Sequence, residues 1–397
     1  MKIGIFGESF LPIYDGVGRV MEAYARVLSS RGHEVYVMVP HYGEADLSNL
    51  PYKVIEYHSV RFTKKLPYRI GIALLDWKFR RQMKKLDLDI IHVHGPYFAG
   101  YCGEFYARRM KAPLVGTFHT KFYDDTYQLT KSKAIAYADS RRVGVFFSGL
   151  DEAWAVSQGA AETLKEYGCR PDNIVVMPNG TDRHELKVDM LDAVAEKYVI
   201  RRDVPVFLFV GRINWEKNLK NILLSAYLLD QKGLDFQLVF VGTGPHDRAV
   251  KETAERLGLG HKFHMTGYVG DVDELGCLYN LASLFIFPSI YDTSALVLRE
   301  AAAMHTPGLV VEGSCAAEVV THMKNGLLVK DSPEDIAEKV AEYLALSEEE
   351  RKAIEDEAFR TIPMQWDGPL MDMVEERYRN LIEKYKGKKR PLINKRH

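Results

Sequence analysis

The chain has 397 residues, 47% hydrophobic and 27% charged, ordinary for a protein that buries the cores of two or three globular units. Its 53 Lys and Arg against 54 Asp and Glu give a formal net charge of -1, so no global field draws it to nucleic acid. Cys102, Cys169, Cys277 and Cys315 show no CxxC or short-range pairing, which suits a reducing cytosol, and no apolar run has the length that spans a bilayer.

Met1-Lys2-Ile3-Gly4-Ile5-Phe6-Gly7 reads as a first strand rather than a signal peptide, because Glu8 ends the apolar run. Short apolar runs then alternate with amphipathic helical stretches, the pattern of parallel βαβ units. In the first half the strands are predicted at Lys2–Phe6, Glu34–Pro40, Lys53–Tyr57, Ile90–His94, Leu114–Phe118, Glu152–Val156 and Ile174–Met177. In the second half they are predicted at Val206–Val210, Gln237–Val241, Phe263–Thr266, Leu284–Pro288, Gly308–Val311 and Gly326–Val329. The expected class is α/β, two doubly wound parallel-sheet, Rossmann-like domains. The turn-rich run Pro178-Asn179-Gly180-Thr181-Asp182 sets a boundary near Gly180–Lys187, with 1–183 as the first domain and 184–365 as the second. Ligands of such sheets bind beyond the carboxyl ends of the strands, so a cleft between two facing sheets is the expected site. A last helix, about Leu370 to Tyr385, follows Pro363 and Pro369.

Several segments carry chemistry. After the first strand, Asp15-Gly16-Val17-Gly18-Arg19 offers a glycine loop whose backbone N–H groups and following helix dipole suit phosphate; its placement, more than its sequence, gives it weight. Between Arg61 and Lys85 nine cations face the single acid Asp76, a local charge of +8 interleaved with aromatic and aliphatic residues. That composition predicts a basic amphipathic helix for an anionic membrane surface, with Lys64, Lys65, Arg80 and Arg81 among its cations; a solvated helix packed on the first domain is the plainer alternative. No stacking module accompanies these charges, so nucleic acid is not expected. His92 and His94 share one face of a strand and His119 follows another, but no carboxylate or cysteine spacing completes a metal shell. No metal is predicted, and His92 reads as a buried structural histidine.

In the second half, Gly211-Arg212-Ile213-Asn214-Trp215-Glu216-Lys217-Asn218 directly follows a strand, and Arg212 and Lys217, five apart, can converge on phosphate oxygens. Gly242-Thr243-Gly244-Pro245 fits a tight turn, and Gly267-Tyr268-Val269 a strand-end loop. Phe285 to Ala301 reads as strand, turn and helix, with Asp292 before the helix and Glu300 on it. A helix starting about Ser294 would put free N–H groups and a positive dipole end between the two carboxylates, a place for a diphosphate. Asp292 could then accept sugar hydroxyls and Glu300 ribose hydroxyls.

Asp292 and Glu300 resemble the acid-x7-acid signature of retaining glycosyltransferases of family 4, and Arg212 and Lys217 resemble that family's diphosphate clamp. Most relatives carry Glu at the first acid, followed by Phe-Gly, where this chain has Asp292 and Ser294-Ala295. The resemblance implies the GT-B fold, a nucleoside diphosphate sugar as substrate, and no metal or other cofactor. It implies catalytic roles for His119, Arg212, Lys217, Asp292 and Glu300. It implies donor contacts from Gly16, Val17, Gly18, Gly211, Gly242, Gly244, Tyr268, Val269, Thr293, Ser294, Ala295 and Leu296, with His94 toward the acceptor side. The segment 366–397 is expected to pack back on the first domain, as in relatives. The Tyr291-Asp292-Thr293-Ser294 loop and the basic segment are similar to lipid glucosyltransferases of this family. The expected reaction is therefore retaining transfer from a UDP-hexose to a lipid such as diacylglycerol, at the cytoplasmic face of the membrane. A GDP-mannose-dependent mannosyltransferase, a nucleotide-sugar epimerase and a noncatalytic nucleotide-sugar-binding protein are the alternatives.

Overall fold

The chain divides into two units, one made of Met1–Asn179 with Trp366–His397 and one of Gly180–Gln365. The computed structural model describes residues 1–11, 15–43, 47–61, 69–182 and 185–386. In the first unit the order is β1 (Lys2–Phe6), α1 (Gly16–Ser30), β2 (Glu34–Pro40), β3 (Lys53–Tyr57), β4 (Ser59–Arg61), β5 (Arg69–Gly71), α2 (Trp77–Met83), β6 (Ile90–Val93), α3 (Phe98–Met110), β7 (Leu114–Phe118), α4 (Phe122–Thr130), α5 (Lys133–Ser148), β8 (Glu152–Ala155), α6 (Gln158–Glu166) and β9 (Ile174–Val176). Seven strands form a parallel sheet in the order β3-β2-β1-β6-β7-β8-β9. Helices cover such a sheet on both faces, which is why β2, β6 and β7 are apolar almost throughout and buried along their length.

The second unit runs α7 (Leu191–Lys197), β10 (Val206–Val210), α8 (Leu219–Gln231), β11 (Gln237–Val241), α9 (Asp247–Arg256), β12 (Phe263–Gly267), α10 (Val272–Leu281), β13 (Leu284–Phe287), α11 (Leu296–Ala303), β14 (Gly308–Val311), β15 (Gly326–Val329), α12 (Pro333–Ala345) and α13 (Glu348–Thr361). Its six parallel strands lie in the order β12-β11-β10-β13-β14-β15. Successive connections therefore leave β10 and β13 in opposite directions, and the gap beyond the carboxyl ends of those two strands is the topological switch point. In the first unit the same reversal falls between β1 and β6.

The chain then returns to the first unit in α14 (Met371–Lys386). The Tyr378 hydroxyl lies 2.6 Å from His92 Nδ1, its ring stacks 5.5 Å from Trp154, and Tyr385 donates to Asp151 at 2.7 Å. Arg31 bonds Asp367 and Asp372, tying the entry of this helix to the end of α1.

The structure corrects the reading of the +8 segment. Residues 59–61 and 69–71 pair as antiparallel strands, and among the described residues of the segment the only α-helix is the seven-residue α2, after a 3-10 turn at Ala73–Leu75. Gly71 permits the pairing, because a Cβ there would meet Tyr57 Cε2 at 2.2 Å; the strand pair lies directly on that ring. Asp76 then starts α2 by accepting from the N–H groups of Lys78 and Phe79. Lys64 and Lys65 lie outside the described residues.

Candidate functional site

The loop after β10 and the loop after β13 meet at the switch point of the second unit. Lys217 Nζ lies 2.5 Å from Asp292 Oδ1, with the ammonium 5.5 Å from the centre of the Tyr291 ring. The second carboxylate oxygen, Asp292 Oδ2, is buried and accepts no hydrogen bond among the described residues. Asn218 fixes the lysine loop: its backbone is left-handed at φ 61°, and its side-chain amide donates to Pro288 O and Asp331 Oδ1. Arg212, on the same loop, is exposed. Sequence reasoning placed Lys217 on phosphate and Asp292 on sugar; the structure brings the two into direct contact.

Three strand-end loops are sewn side by side here. Gly211 N–H donates to Val241 O, Ile213 N–H to Thr243 O, and Gly242 N–H to Gly267 O. Glycine is required at the seams. Gly242 has φ +130°, and a Cβ on it would stand 2.0 Å from Gly211 O, while a Cβ on Gly244 would stand 2.2 Å from Ile213 O. Beyond these turns Tyr268 is 62% exposed, whereas Val269 is buried in the core.

Helix α11 begins at Leu296, two residues later than Ser294, because Ala295 rather than a capping side chain precedes it. Ala295 gives the helix no side-chain cap, and backbone acceptors serve instead: Leu296 N–H donates to Ser294 O at 3.1 Å and Leu298 N–H to Ala295 O at 3.2 Å. Glu300 lies roughly 6 Å along the axis from that end, at about 1.5 Å per residue, and accepts from the Tyr279 hydroxyl at 3.1 Å. Thr293 and Ala295 are buried, while Ser294 and Leu296 are half-buried. Arg299, unremarked in the sequence, is buried next to Glu300 and donates to Ile362 O at 2.5 Å; burial pulls its pKa below the usual guanidinium range. Its neighbours in sequence gave only a helical-face signal.

In the first unit, Gly16, Val17 and Gly18 form the first turn of α1 rather than a free glycine loop. The Asp15 carboxylate caps that turn, accepting from Gly18 N–H at 2.7 Å and from the Ser9 hydroxyl at 2.9 Å. A single aspartate N-cap is what converts the stretch to helix.

His94 Nδ1 and His119 Nε2 lie 2.9 Å apart, and His92 bonds Thr117 Oγ1 at 2.7 Å as well as Tyr378. Burial lowers the pKa of all three rings, His119 to about 3, so the cluster is neutral at pH 7. His94 is itself buried rather than lining an open face. Glu8, at the carboxyl end of β1, was read only as the end of a strand. It is buried, accepts from Ala99 N–H at 2.6 Å, and is pushed by desolvation to about 7. The one sequence signal was an acid set directly on an apolar strand.

Arg80 and Arg81 are exposed on α2, and near them Leu75 is 81% and Trp77 65% exposed. Among the described residues no group of three or more His, Cys, Asp or Glu is placed to hold a metal ion, and no helix is long and apolar enough to cross a membrane.

A family model described as Glycosyltransferase Family 4 matches residues 14–185, and one described as Glycosyl transferases group 1 matches residues 192–360. The chain is 26% identical over 318 residues to the alpha-monoglucosyldiacylglycerol synthase of Streptococcus pneumoniae, covering 77% of this chain and 70% of that one. It is 24% identical over 337 residues to a GDP-mannose-dependent alpha-mannosyltransferase of Corynebacterium glutamicum, covering 83% and 76%. The solved sucrose-phosphate synthase of Thermosynechococcus elongatus shares the fold, with TM-score 0.79 over 96% of this chain and 99% of that one at 18% identity.

Proposed function

This chain belongs to the GT-B glycosyltransferases, and we propose that it moves a hexose with retention from a UDP-sugar, UDP-glucose foremost, to the hydroxyl of a membrane lipid such as diacylglycerol. The observation that carries the reading is the Lys217–Asp292 contact across the β10/β13 switch point, with Arg212 on the same loop as Lys217 and α11 starting four residues after Asp292 without a side-chain cap. The two cations of the β10 loop and the positive dipole end of α11 suit a diphosphate there. As the bond from the sugar C1 to the diphosphate oxygen breaks, Lys217 and Arg212 stabilise the charge that develops on the leaving group. The acceptor oxygen bonds C1 on the same face, and its proton passes to the departing phosphate oxygen. Glu300 accepts a ribose hydroxyl and Asp292 a sugar hydroxyl. Protein cations take the part that a metal ion plays elsewhere, so the reaction is proposed to need none.

The lipid acceptor is supported by similarity to the Streptococcus synthase and by the exposed Leu75 and Trp77 beside Arg80 and Arg81. The same surface supports the reading of peripheral attachment to an anionic membrane. Similarity to the Corynebacterium enzyme supports a second reading, GDP-mannose as donor. For Gly16, Val17, Gly18, His94 and His119 the assignments rest on resemblance and are tested by single substitutions. Radiolabelled UDP-glucose and GDP-mannose, incubated with the protein and no acceptor, test the class. Slow release of nucleotide with hydrolysis from one donor supports a transferase; an altered sugar supports an epimerase, and bound intact donor a noncatalytic binder.

A further inference from the structure

Of the two clamp cations, one is already engaged. Lys217 sits on Asp292 at 2.5 Å, with the two side chains only 17% and 21% exposed. The lysine's backbone is held, since Lys217 N–H donates to Asn214 O at 2.9 Å and Asn218 N–H to Trp215 O at 3.0 Å. Only the ammonium group is placed to swing. Asp292 depends on that ammonium group, because its Oδ2 is buried with no hydrogen-bond partner among the described residues. Taking Lys217 away would leave both carboxylate oxygens short of partners in a site largely closed to water.

We propose that Asp292, by holding Lys217, makes the site discriminate between an intact nucleoside diphosphate sugar and the spent nucleoside diphosphate. The inference rests on the donor reading above and deepens it. A diphosphate arriving alone competes with Asp292 for the ammonium group and offers the carboxylate nothing in return. An intact donor brings phosphate oxygens for Lys217 and hydroxyl donors for Asp292 together, so both groups exchange one partner for another. After transfer the sugar is gone, Asp292 draws Lys217 back, and the nucleotide loses one of its two cations. Asp292 is in this sense a positioning residue for Lys217, and product release is the step it favours.

The test is calorimetric titration of UDP, GDP, UDP-glucose and GDP-mannose into the wild type, Asp292→Asn, Asp292→Ser, Lys217→Met and the double variant Asp292→Asn/Lys217→Met. Both Asp292 substitutions should bind the free diphosphate about tenfold more tightly than wild type, ~1.4 kcal/mol, and the sugar nucleotide no more tightly. Steady-state assays should show the matching rise in product inhibition. In the Lys217→Met background the Asp292 substitution should change diphosphate affinity little, which a merely structural effect at Asp292 would not produce. Unchanged or weaker diphosphate binding in both Asp292 variants overturns the inference while leaving the donor reading intact, as does tightening that persists without Lys217. If no nucleotide of the four binds the wild type, the donor reading falls and the inference with it.

Discussion

Two glycines separate strain from displacement at the site. Gly244 has no left-handed backbone, but a Cβ on it would stand 2.2 Å from Ile213 O, 2.7 Å from Ile213 C and 2.7 Å from Ile213 N, and real Cβ contacts essentially never fall below 3.0 Å. In Gly244→Ala the two loops must therefore part by about 0.8 Å, and backbone rather than a flexible side chain has to give. The displaced loop carries Arg212 and Lys217. Gly267 is the reverse case, with φ +77° and nothing within 4 Å of its virtual Cβ, so Gly267→Ala strains the backbone without pushing a neighbour. Both variants should lose stability by about 1–3 kcal/mol, a few degrees in melting temperature for a unit of this size. Transfer should separate them: a misplacement approaching 1 Å lowers turnover by on the order of 10–100-fold in Gly244→Ala, while Gly267→Ala stays within a few-fold of wild type. Initial rates with saturating donor, alongside melting curves, decide it. Equal loss of activity in the two variants, or near wild-type turnover in a folded Gly244→Ala, would refute the claim that these loops set the clamp.

Three further outcomes are expected. Glu300→Gln keeps an acceptor for the Tyr279 hydroxyl but removes the charge offered to a ribose, so nucleotide affinity should fall by about 1.5–3 kcal/mol with the melting temperature little changed; calorimetry that shows full affinity counts against the ribose assignment. Replacing Lys64, Lys65, Arg80 and Arg81 with Ser should remove roughly 4 kcal/mol of attraction to anionic vesicles, and wild-type co-sedimentation should weaken as salt shortens the screening length to roughly 10 Å at 0.1 M; binding indifferent to lipid charge contradicts it. Glu8 is raised from 4.5 to about 7 by burial, so its native carboxyl stays protonated where the unfolded chain ionises, and the stability it contributes below pH 4.5 is lost as pH climbs toward 7. Glu8→Gln should therefore gain on wild type between pH 5 and 8, by up to about 3 kcal/mol at ~1.36 kcal/mol per pKa unit; a gap that stays constant with pH in denaturant unfolding falsifies the buried acid.

The parallel strands were legible because a strand buried on both faces must be apolar along its length, and β2, β7, β10 and β11 read as such runs. The β4–β5 pair was not, because three-residue strands among cations carry no periodicity of their own and the surrounding residues mimic a basic helix. The start of α11 slipped by two residues because Ala295 bears no capping oxygen to mark it. At the site, residue types and spacing pointed to Arg212, Lys217, Asp292 and Glu300. The pairing of Lys217 with Asp292 depends on how two loops, 75 residues apart in sequence, settle over neighbouring strands, which no local pattern encodes. Glu8 and Arg299 are weakly marked in the sequence for the same reason: each gains its meaning from burial against distant residues, Ala99 in one case and Ile362 in the other.

The central claim is transfer of a hexose with retention from a nucleotide sugar bound at the β10/β13 switch point. Its most direct test is incubation of the purified protein, with a metal chelator present, in vesicles of diacylglycerol and an anionic phospholipid with labelled UDP-glucose, followed by NMR of the extracted lipid. The account predicts an α-linked glucosyl diacylglycerol formed by the wild type and at least about tenfold more slowly by Lys217→Ala, roughly 1.4 kcal/mol of transition-state stabilisation. A β-linked product, a strict need for metal, or undiminished transfer by a folded Lys217→Ala would contradict it.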